Sequence, residues 1–297
     1  MNHQGQKFSN EVLKVHVPAK INLFLHVLGN SSNGYHELES LVAFTEVGDD
    51  LLIEPADKLT FALKGPFSNK LLLNESNLVV QAAQLMGKGF KSLPGAKITL
   101  EKNLPIASGI GGGSADAAAV FSALNVFWRI GKTNKELAAL GLSLGADVPV
   151  CIYGKTAFLG GIGEIIEPAP ELPSMGVLLV NPNLSLSTAS VFSSFDSAFS
   201  KANNKIESWL NLQNFITYLQ EKRNDLELSA KRLAPEINEV LNVLENEPNC
   251  LLARLSGSGA TCFGLFSSSD GAKKGKQSIS QKHQEWWVRD TKFISSP

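Results

Sequence analysis

Ile21, Leu23, Leu25 and Val27 alternate with Asn22, Phe24 and His26, the two-residue period of a strand that buries one face. A second apolar run at 12–17 precedes it, and Pro18 between the two predicts a break. Residues 41–47, 51–54, 59–63 and 96–101 read as further strands. Residues 77–86 and 116–128 carry helical patterns, the first with Ser76 as its expected cap. Thr133 and Glu136 make a capping box that opens a helix expected to end at Gly145. Strands at 157–159 and 165–166 flank a glycine turn at 160–163. The proline-rich stretch 168–173 marks an expected domain boundary, giving domains at 1–165 and 166–297. Beyond it, 176–180, 251–255 and 261–266 read as strands, and 206–219 and 235–244 as helices. Strands and helices mix without strict β-α-β alternation, so the fold class is α+β.

Composition narrows the function. The 297 residues carry 43% hydrophobic and 19% charged side chains, an ordinary globular balance. A net charge of −1 argues against a general nucleic-acid or membrane-surface binder. Cys151, Cys250 and Cys262 are widely spaced and form no CxxC pair, which fits a reducing compartment and no zinc site. Residues 1–12 are polar and lack an apolar signal core, and no apolar run reaches the length of a membrane span. A bacterial cytoplasmic protein is the expectation.

The stretch with the strongest chemical content is Pro105, Ile106, Ala107, Ser108, Gly109, Ile110, Gly111, Gly112, Gly113, Ser114 and Ala115, followed at once by an apolar helix. Successive glycines free the backbone to aim several N–H groups at one point. A helix start adds unpaired donors and about half a positive charge, which suits a run of phosphates. No Lys follows the glycines as Walker A requires, and Ser114 stands where the dinucleotide fingerprint needs its third glycine. Residues 271–276 contain glycines and lysines at the wrong spacing and read as a soluble basic loop.

Phosphoryl transfer needs, beyond a cradle, a group near the acceptor hydroxyl and a balancing cation. Asp147, ahead of Pro149, is a carboxylate among apolar neighbours: an acceptor-side group, or a surface Asp in a turn. Lys20 either snorkels to solvent or faces that carboxylate. Tyr35 and His36 follow a turn-rich stretch at 30–33, where an aromatic beside an imidazole serves either structure or a stacked base.

Taken together, these segments resemble the GHMP kinase superfamily. Residues 18–23, Gly34-Tyr35-His36, 105–115, 144–149 and 255–261 match its motifs in order. The similarity is strongest to the branch that acts in the non-mevalonate isoprenoid route on a cytidine diphosphate conjugate of methylerythritol. The resemblance implies a two-domain α+β GHMP kinase fold with the active site in the interdomain cleft, and ATP and Mg2+ as cofactors. It implies Lys20 and Asp147 as the catalytic pair and 105–115 as the ATP loop, with Asn77 and Lys102 on the adenine side. Asn22, Tyr35, His36 and Phe192 would line the substrate pocket, with Tyr35 stacking on cytosine and His36 reading its edge. Ser114 is the implied metal ligand. No nucleic-acid, membrane or obligate protein partner is expected. Ala107 and Ser108 stand where many relatives carry glycine, so those two amides are not expected on phosphate. Another small-alcohol kinase of the superfamily, or a sensor that has kept the fold without catalysis, are the alternative readings.

Overall fold

The computed structural model describes residues 11–31, 34–90, 94–202 and 206–294. Most of the polar start at 1–12, and Ser32 and Asn33 of the turn before Gly34, lie outside the described residues. In chain order the elements begin with strands β1 (Leu13–Asn30), β2 (His36–Glu54) and β3 (Leu59–Lys64). Helix α1 (Leu78–Gly87), strand β4 (Ala96–Glu101) and helices α2 (Gly112–Phe127), α3 (Asn134–Leu142) and α4 (Val148–Tyr153) follow. Then come β5 (Ala157–Gly160), β6 (Ile165–Pro168), β7 (Gly176–Asn181), α5 (Thr188–Ser193), α6 (Leu212–Gln220), α7 (Glu227–Leu233) and α8 (Glu236–Glu245). Strands β8 (Cys250–Leu255) and β9 (Cys262–Phe266), helix α9 (Ser269–Lys282) and strand β10 (Trp287–Thr291) complete the chain.

The chain packs as two compact units that interleave in sequence. The first holds the described residues up to Pro18, with Gly48–Ile106 and Gly112–Gly154. The second holds Ala19–Val47, Ala107–Gly111 and the described residues from Lys155 onward. In the first unit β4 pairs antiparallel with the end of β2 and parallel with β3. Its core sets Leu51, Ile53, Ile98 and Leu100 of this sheet against Val79, Ala83, Val120, Phe121, Leu124 and Trp128 of the helical side. In the second unit the start of β2 pairs with β5, and β5 with β6. A separate antiparallel sheet runs β10-β7-β9-β8. Its buried face, with Leu178, Val180, Cys262 and Phe266, packs with Ile237, Val240 and Leu244 of α8 and Ala272 and Ile279 of α9.

Several boundaries differ from those expected. Pro18 lies inside one continuous strand, because proline's φ is compatible with extended chain and only its missing N–H counts against it. Here β2 comes so near that a Cβ on Gly48 would stand 2.1 Å from the Val17 carbonyl oxygen. The two runs at 41–47 and 51–54 likewise form a single strand through Gly48. Asn77, not Ser76, caps α1, accepting from the Val79 N–H at 3.0 Å. The capping box at Thr133 is present, but α3 ends at Leu142, short of Gly145. Pro149 sits in the first turn of α4, where its absent N–H costs nothing. The helix expected over 206–219 starts only at Leu212, with Asn211 as its cap.

Residues 271–276 belong to helix α9 and form no loop. Ala272, Gly275 and Ile279 face inward at helical spacing. A Cβ on Gly275 would meet Leu178 at 3.1 Å, so the glycine that reads as a breaker lets the helix seat on its sheet. The start of α2 is also earlier than expected. Gly112 and Gly113 are helical, so Ser114 lies within the first turn and does not cap it. Packing overrides the poor helix propensity of glycine: a Cβ on Gly112 would stand 3.0 Å from Lys102 Nζ.

Candidate active site

The first unit gathers the start of α2, the start of α1 and the turn before α4. Leu78, next to the cap residue Asn77, lies 3.5 Å from the Cβ position of Gly113. The Asn77 carboxamide also donates to the Leu72 carbonyl at 2.9 Å. The Ser114 hydroxyl lies 3.9 Å from the Cβ position of Gly145, two residues before Asp147. Asp147 occupies the N-cap position of α4 without capping it through its side chain, and it is partly buried. These neighbours put Ser114, Asn77 and the Gly145–Asp147 turn around one helix start. Such a start offers unpaired N–H donors to an anion.

Lys102 lies under this helix start. It is 2% exposed, and its ammonium donates to Asp49 at 2.5 Å and to Asp116 at 2.7 Å. The other Asp49 oxygen accepts from the backbone N–H groups of Asn103 and Leu104 at 2.6 and 2.8 Å. Asp116 Oδ1 has no hydrogen-bond partner. Burial, and then the Asp49 charge, push the Asp116 carboxyl up to about 7 against the pull of Lys102. Burial opposes the Lys102 charge, yet the two carboxylates hold its ammonium above the usual lysine range. Lys102 therefore reaches the loop from beneath, as a buried charge.

The second unit holds the middle of the glycine loop. Gly109 (φ 75°) packs so tightly on the 256–261 turn that a Cβ would meet the Ser256 carbonyl oxygen at 2.3 Å. The Ser256 hydroxyl donates to the Gly109 carbonyl at 3.0 Å, and the Thr261 N–H donates to the Ser108 carbonyl at 3.0 Å. The Leu186 N–H donates to the Ala107 carbonyl at 2.9 Å. Ala107 takes a left-handed φ of 49°, the conformation a glycine would adopt freely. Ile110 is fully buried, and its carbonyl accepts from the Lys20 N–H at 3.1 Å. Asn224 supports the turn from behind by donating to the Leu255 and Gly257 carbonyls at 2.9 and 2.7 Å. Arg254 spends its guanidinium on the carbonyls of Leu23, Leu219 and Lys222.

Lys20 runs across Gly111, whose Cβ would stand 3.0 Å from Lys20 Cε. Its ammonium donates to Asn22 Oδ1 at 2.9 Å, and Asn22 Oδ1 is 3.2 Å from the Cβ position of Gly257. Lys20, Asn22 and both glycine turns thus converge within this unit. His36 packs edge-on against Phe192, at 5.4 Å between ring centres, and against Phe195, at 5.7 Å. Phe199 stacks on Phe195 at 6.1 Å. Tyr35 is 62% exposed beside this cluster in sequence, after Gly34 with φ 85°. Of these contacts, sequence reasoning missed Phe195, Asn224 and the Asp49–Asp116 pair. Asn224 lies in the connection between α6 and α7, Asp49 in β2 and Asp116 in α2, and none carries a local mark of its role. Phe195, three residues after Phe192, had helical spacing as a signal.

Among the described residues no group of three His, Cys, Asp or Glu side chains gathers into a metal cage. A magnesium ion carried by nucleotide phosphates needs only one or two protein oxygens. The Ser114 hydroxyl, on the first turn of α2 and beside a glycine, fits that requirement. No helix among the described residues is long and apolar enough to cross a membrane.

Comparison with known proteins bears on this geometry. Residues 77–155 match the family described as GHMP kinases N terminal domain, and residues 199–285 match GHMP kinases C terminal. A 4-diphosphocytidyl-2-C-methyl-D-erythritol kinase of Rhodospirillum rubrum is 44% identical over 93% of this chain and 91% of its own. The protein of the same name from a Chelativorans species is 46% identical over 94% of this chain and 95% of its own. A crystal structure of 4-(cytidine 5'-diphospho)-2C-methyl-D-erythritol kinase superposes with a TM-score of 0.76 at 30% identity, covering 95% of this chain and all of that one. Homoserine kinase from Cytophaga hutchinsonii shares the fold, with a TM-score of 0.73 at 17% identity over 99% of this chain and 98% of that one. The chain belongs to the GHMP kinases, and within them to the 4-diphosphocytidyl-2-C-methyl-D-erythritol kinase family.

Proposed function

We propose that the chain transfers the γ-phosphoryl group of ATP to the 2-hydroxyl of 4-diphosphocytidyl-2-C-methyl-D-erythritol, giving the 2-phosphate and ADP. The observation that carries this reading is the convergence of Lys20 and Asn22 on Gly111 and Gly257, in a chain whose relatives bear that kinase name. The backbone donors of 112–114 take the phosphates at the start of α2. Asn77 stands on the adenine side, and Lys102 serves the same loop as the charge beneath it. Lys20 offsets negative charge as the acceptor oxygen becomes nucleophilic. Asp147 takes up or orients the hydroxyl proton, a role that needs little base strength in a loose phosphoryl-transfer transition state.

Tyr35 supplies a stacking face for cytosine, and Phe192 the opposite one. His36, braced by Phe192 and Phe195, reads the base edge. The Ser114 hydroxyl, together with the ATP phosphates, would hold Mg2+, which would supply positive charge against the phosphates. As modules of the family we assign 1–165 and 166–297, and as its compartment the bacterial cytoplasm.

ATP turnover measured with and without the cytidine substrate tests the reading. Turnover should require the substrate, and Asp147→Asn should lower it roughly 10²–10⁴-fold, the span of a lost acid–base group. Lys20→Ala should lower kcat more than KM. Equal turnover of methylerythritol without its cytidine diphosphate would move the chain to another small-alcohol activity. ATP binding without any turnover would make it a sensor.

A further inference from the structure

We propose that Ser40 is a positioning residue for phosphoryl transfer, because its hydroxyl locks the Asn22 carboxamide with the oxygen turned to the Lys20 ammonium. The inference rests on the reading of Lys20 as the charge beside the acceptor hydroxyl.

The direction of each bond follows from what each atom can do. The Ser40 Oγ lies 2.5 Å from the carbonyl oxygen of Phe24. A carbonyl only accepts, so the single hydroxyl proton of Ser40 is used there. Ser40 Oγ can then only accept from its other neighbour, Asn22 Nδ2, at 2.9 Å. That contact fixes which end of the carboxamide is nitrogen, an assignment that otherwise has two solutions. Asn22 Oδ1 is left facing Lys20 Nζ at 2.9 Å, and an ammonium only donates.

The residues that carry the lock are enclosed. Ser40 is 2% exposed, Lys20 3% and Asn22 4%, so water has little access to repair a turned amide. The backbone of Asn22 is held as well. Its N–H donates to Ser256 Oγ at 3.1 Å, and that hydroxyl donates onward to the Gly109 carbonyl at 3.0 Å. Only the side-chain amide retains a choice of orientation, and Ser40 makes it. Without the hydroxyl, Asn22 Nδ2 is a buried donor lacking its acceptor. Turning the amide then sets donor against donor at Lys20. Gly111 crowds the lysine stem, with a Cβ position 3.0 Å from Cε and 3.2 Å from Cβ of Lys20, which restricts a compensating shift.

The test combines kinetics with a direct view of the amide. Ser40→Ala should lower kcat roughly 10- to 100-fold, as a misplaced catalytic group does, with both KM values within about twofold. Ser40→Thr, which restores the hydroxyl, should recover most of the loss. In an Asn22→Ala background Ser40→Ala should cost nothing further, since it acts through Asn22. In nitrogen-edited NMR, the Asn22 side-chain amide should be a resolved, slowly exchanging pair in the wild type and Ser40→Thr, and should move or broaden in Ser40→Ala. An unchanged kcat in Ser40→Ala, or an equal loss in the Asn22→Ala background, overturns the proposal. Should Ser40→Ala fail to fold, Ser40→Val, which matches the threonine variant in shape but has no hydroxyl, takes its place in both measurements. Lys20→Ala separates the two readings. Turnover within about twofold of wild type there removes the catalytic role of Lys20, while the NMR pair still reports whether Ser40 orients Asn22.

Discussion

The Lys102 ammonium donates to the Asp116 carboxylate at 2.7 Å directly beneath the first turn of α2. With Asp49 as the second partner, one buried cation faces two acids, so the group is short of positive charge. Asp116 bears the deficit. Asp49 receives two backbone N–H bonds, whereas Asp116 Oδ1 receives none. Its carboxyl is raised to about 7 by burial and by the Asp49 charge.

A sign follows for stability. A carboxyl whose pKa is higher folded than unfolded binds more protons in the folded state between the two values. Stability therefore falls as pH rises from about 4, the unfolded value, to about 7. Asp116→Asn keeps an acceptor for Lys102 but cannot ionise. The Tm of the wild type relative to this variant should fall by a few degrees from pH 5 to pH 8. A constant difference across that range would show that Asp116 carries no extra proton.

Ala107 gives a second prediction, about strain. Its left-handed φ of 49° costs a residue with a Cβ about 1–2 kcal/mol, against about 0.5–1 kcal/mol of extra chain entropy lost by glycine. The residue is exposed, so removing the methyl opens no cavity. Ala107→Gly should stabilise the chain by about 0.5–1 kcal/mol in urea unfolding with an unchanged m-value. Destabilisation would mean that the methyl makes a contact worth more than the strain.

Part of this fold was legible in the sequence because its cause is local. Residues 96–101 alternate and form β4 at those bounds, and Thr133 with Glu136 makes the capping box that it spells. Non-local causes were not legible. Pro18 reads as a break until Gly48, from another strand, is seen against Val17. Helix α9 reads as a loop because Gly275 gains its value from Leu178, almost a hundred positions earlier. The candidate site divides in the same way. The glycine loop, Lys20 and Asn22 stand in recognisable motifs, and the structure places Lys20 and Asn22 in hydrogen-bond contact. Lys102 is known from the resemblance only as an implied adenine-side position, and its two partners, Asp49 and Asp116, come from other parts of the fold. Ser40 is one serine in a strand until Phe24 consumes its proton.

The glycines of the loop differ in what they can test. Gly112 is buried, and a Cβ there presses on Lys102 Nζ at 3.0 Å, so substituting it disturbs the ion group as well as the loop. Gly113 is exposed and meets only Leu78 at 3.5 Å. Gly113→Val should therefore weaken ATP binding at least about tenfold by covering the helix-start donors, with Tm changed by only a few degrees. Gly112→Val should lower both. Calorimetry showing undiminished ATP affinity in Gly113→Val would remove the phosphates from this helix start.

The aromatic residues test the substrate. A base stacked on an aromatic ring gains about 1–3 kcal/mol, and about 1.4 kcal/mol is tenfold in affinity. Tyr35→Ala should raise the KM for the cytidine substrate roughly 10- to 100-fold, and Tyr35→Phe should change it little, since the ring face does the stacking. His36 is held edge-on by Phe192 and Phe195, and such a ring pair contributes about 0.5–1.5 kcal/mol. Phe195→Ala removes one brace without removing a ring proposed to touch the base. It should raise KM by about two- to tenfold and weaken the preference for cytosine over uracil, while Phe195→Tyr keeps both. The ATP KM should not move in any of these variants. Competition by CDP and UDP measures the preference directly. If CDP and UDP inhibit the wild type equally, His36 does not read the base edge; if neither inhibits at millimolar concentration, the cluster serves packing within its own unit and cytosine binds elsewhere.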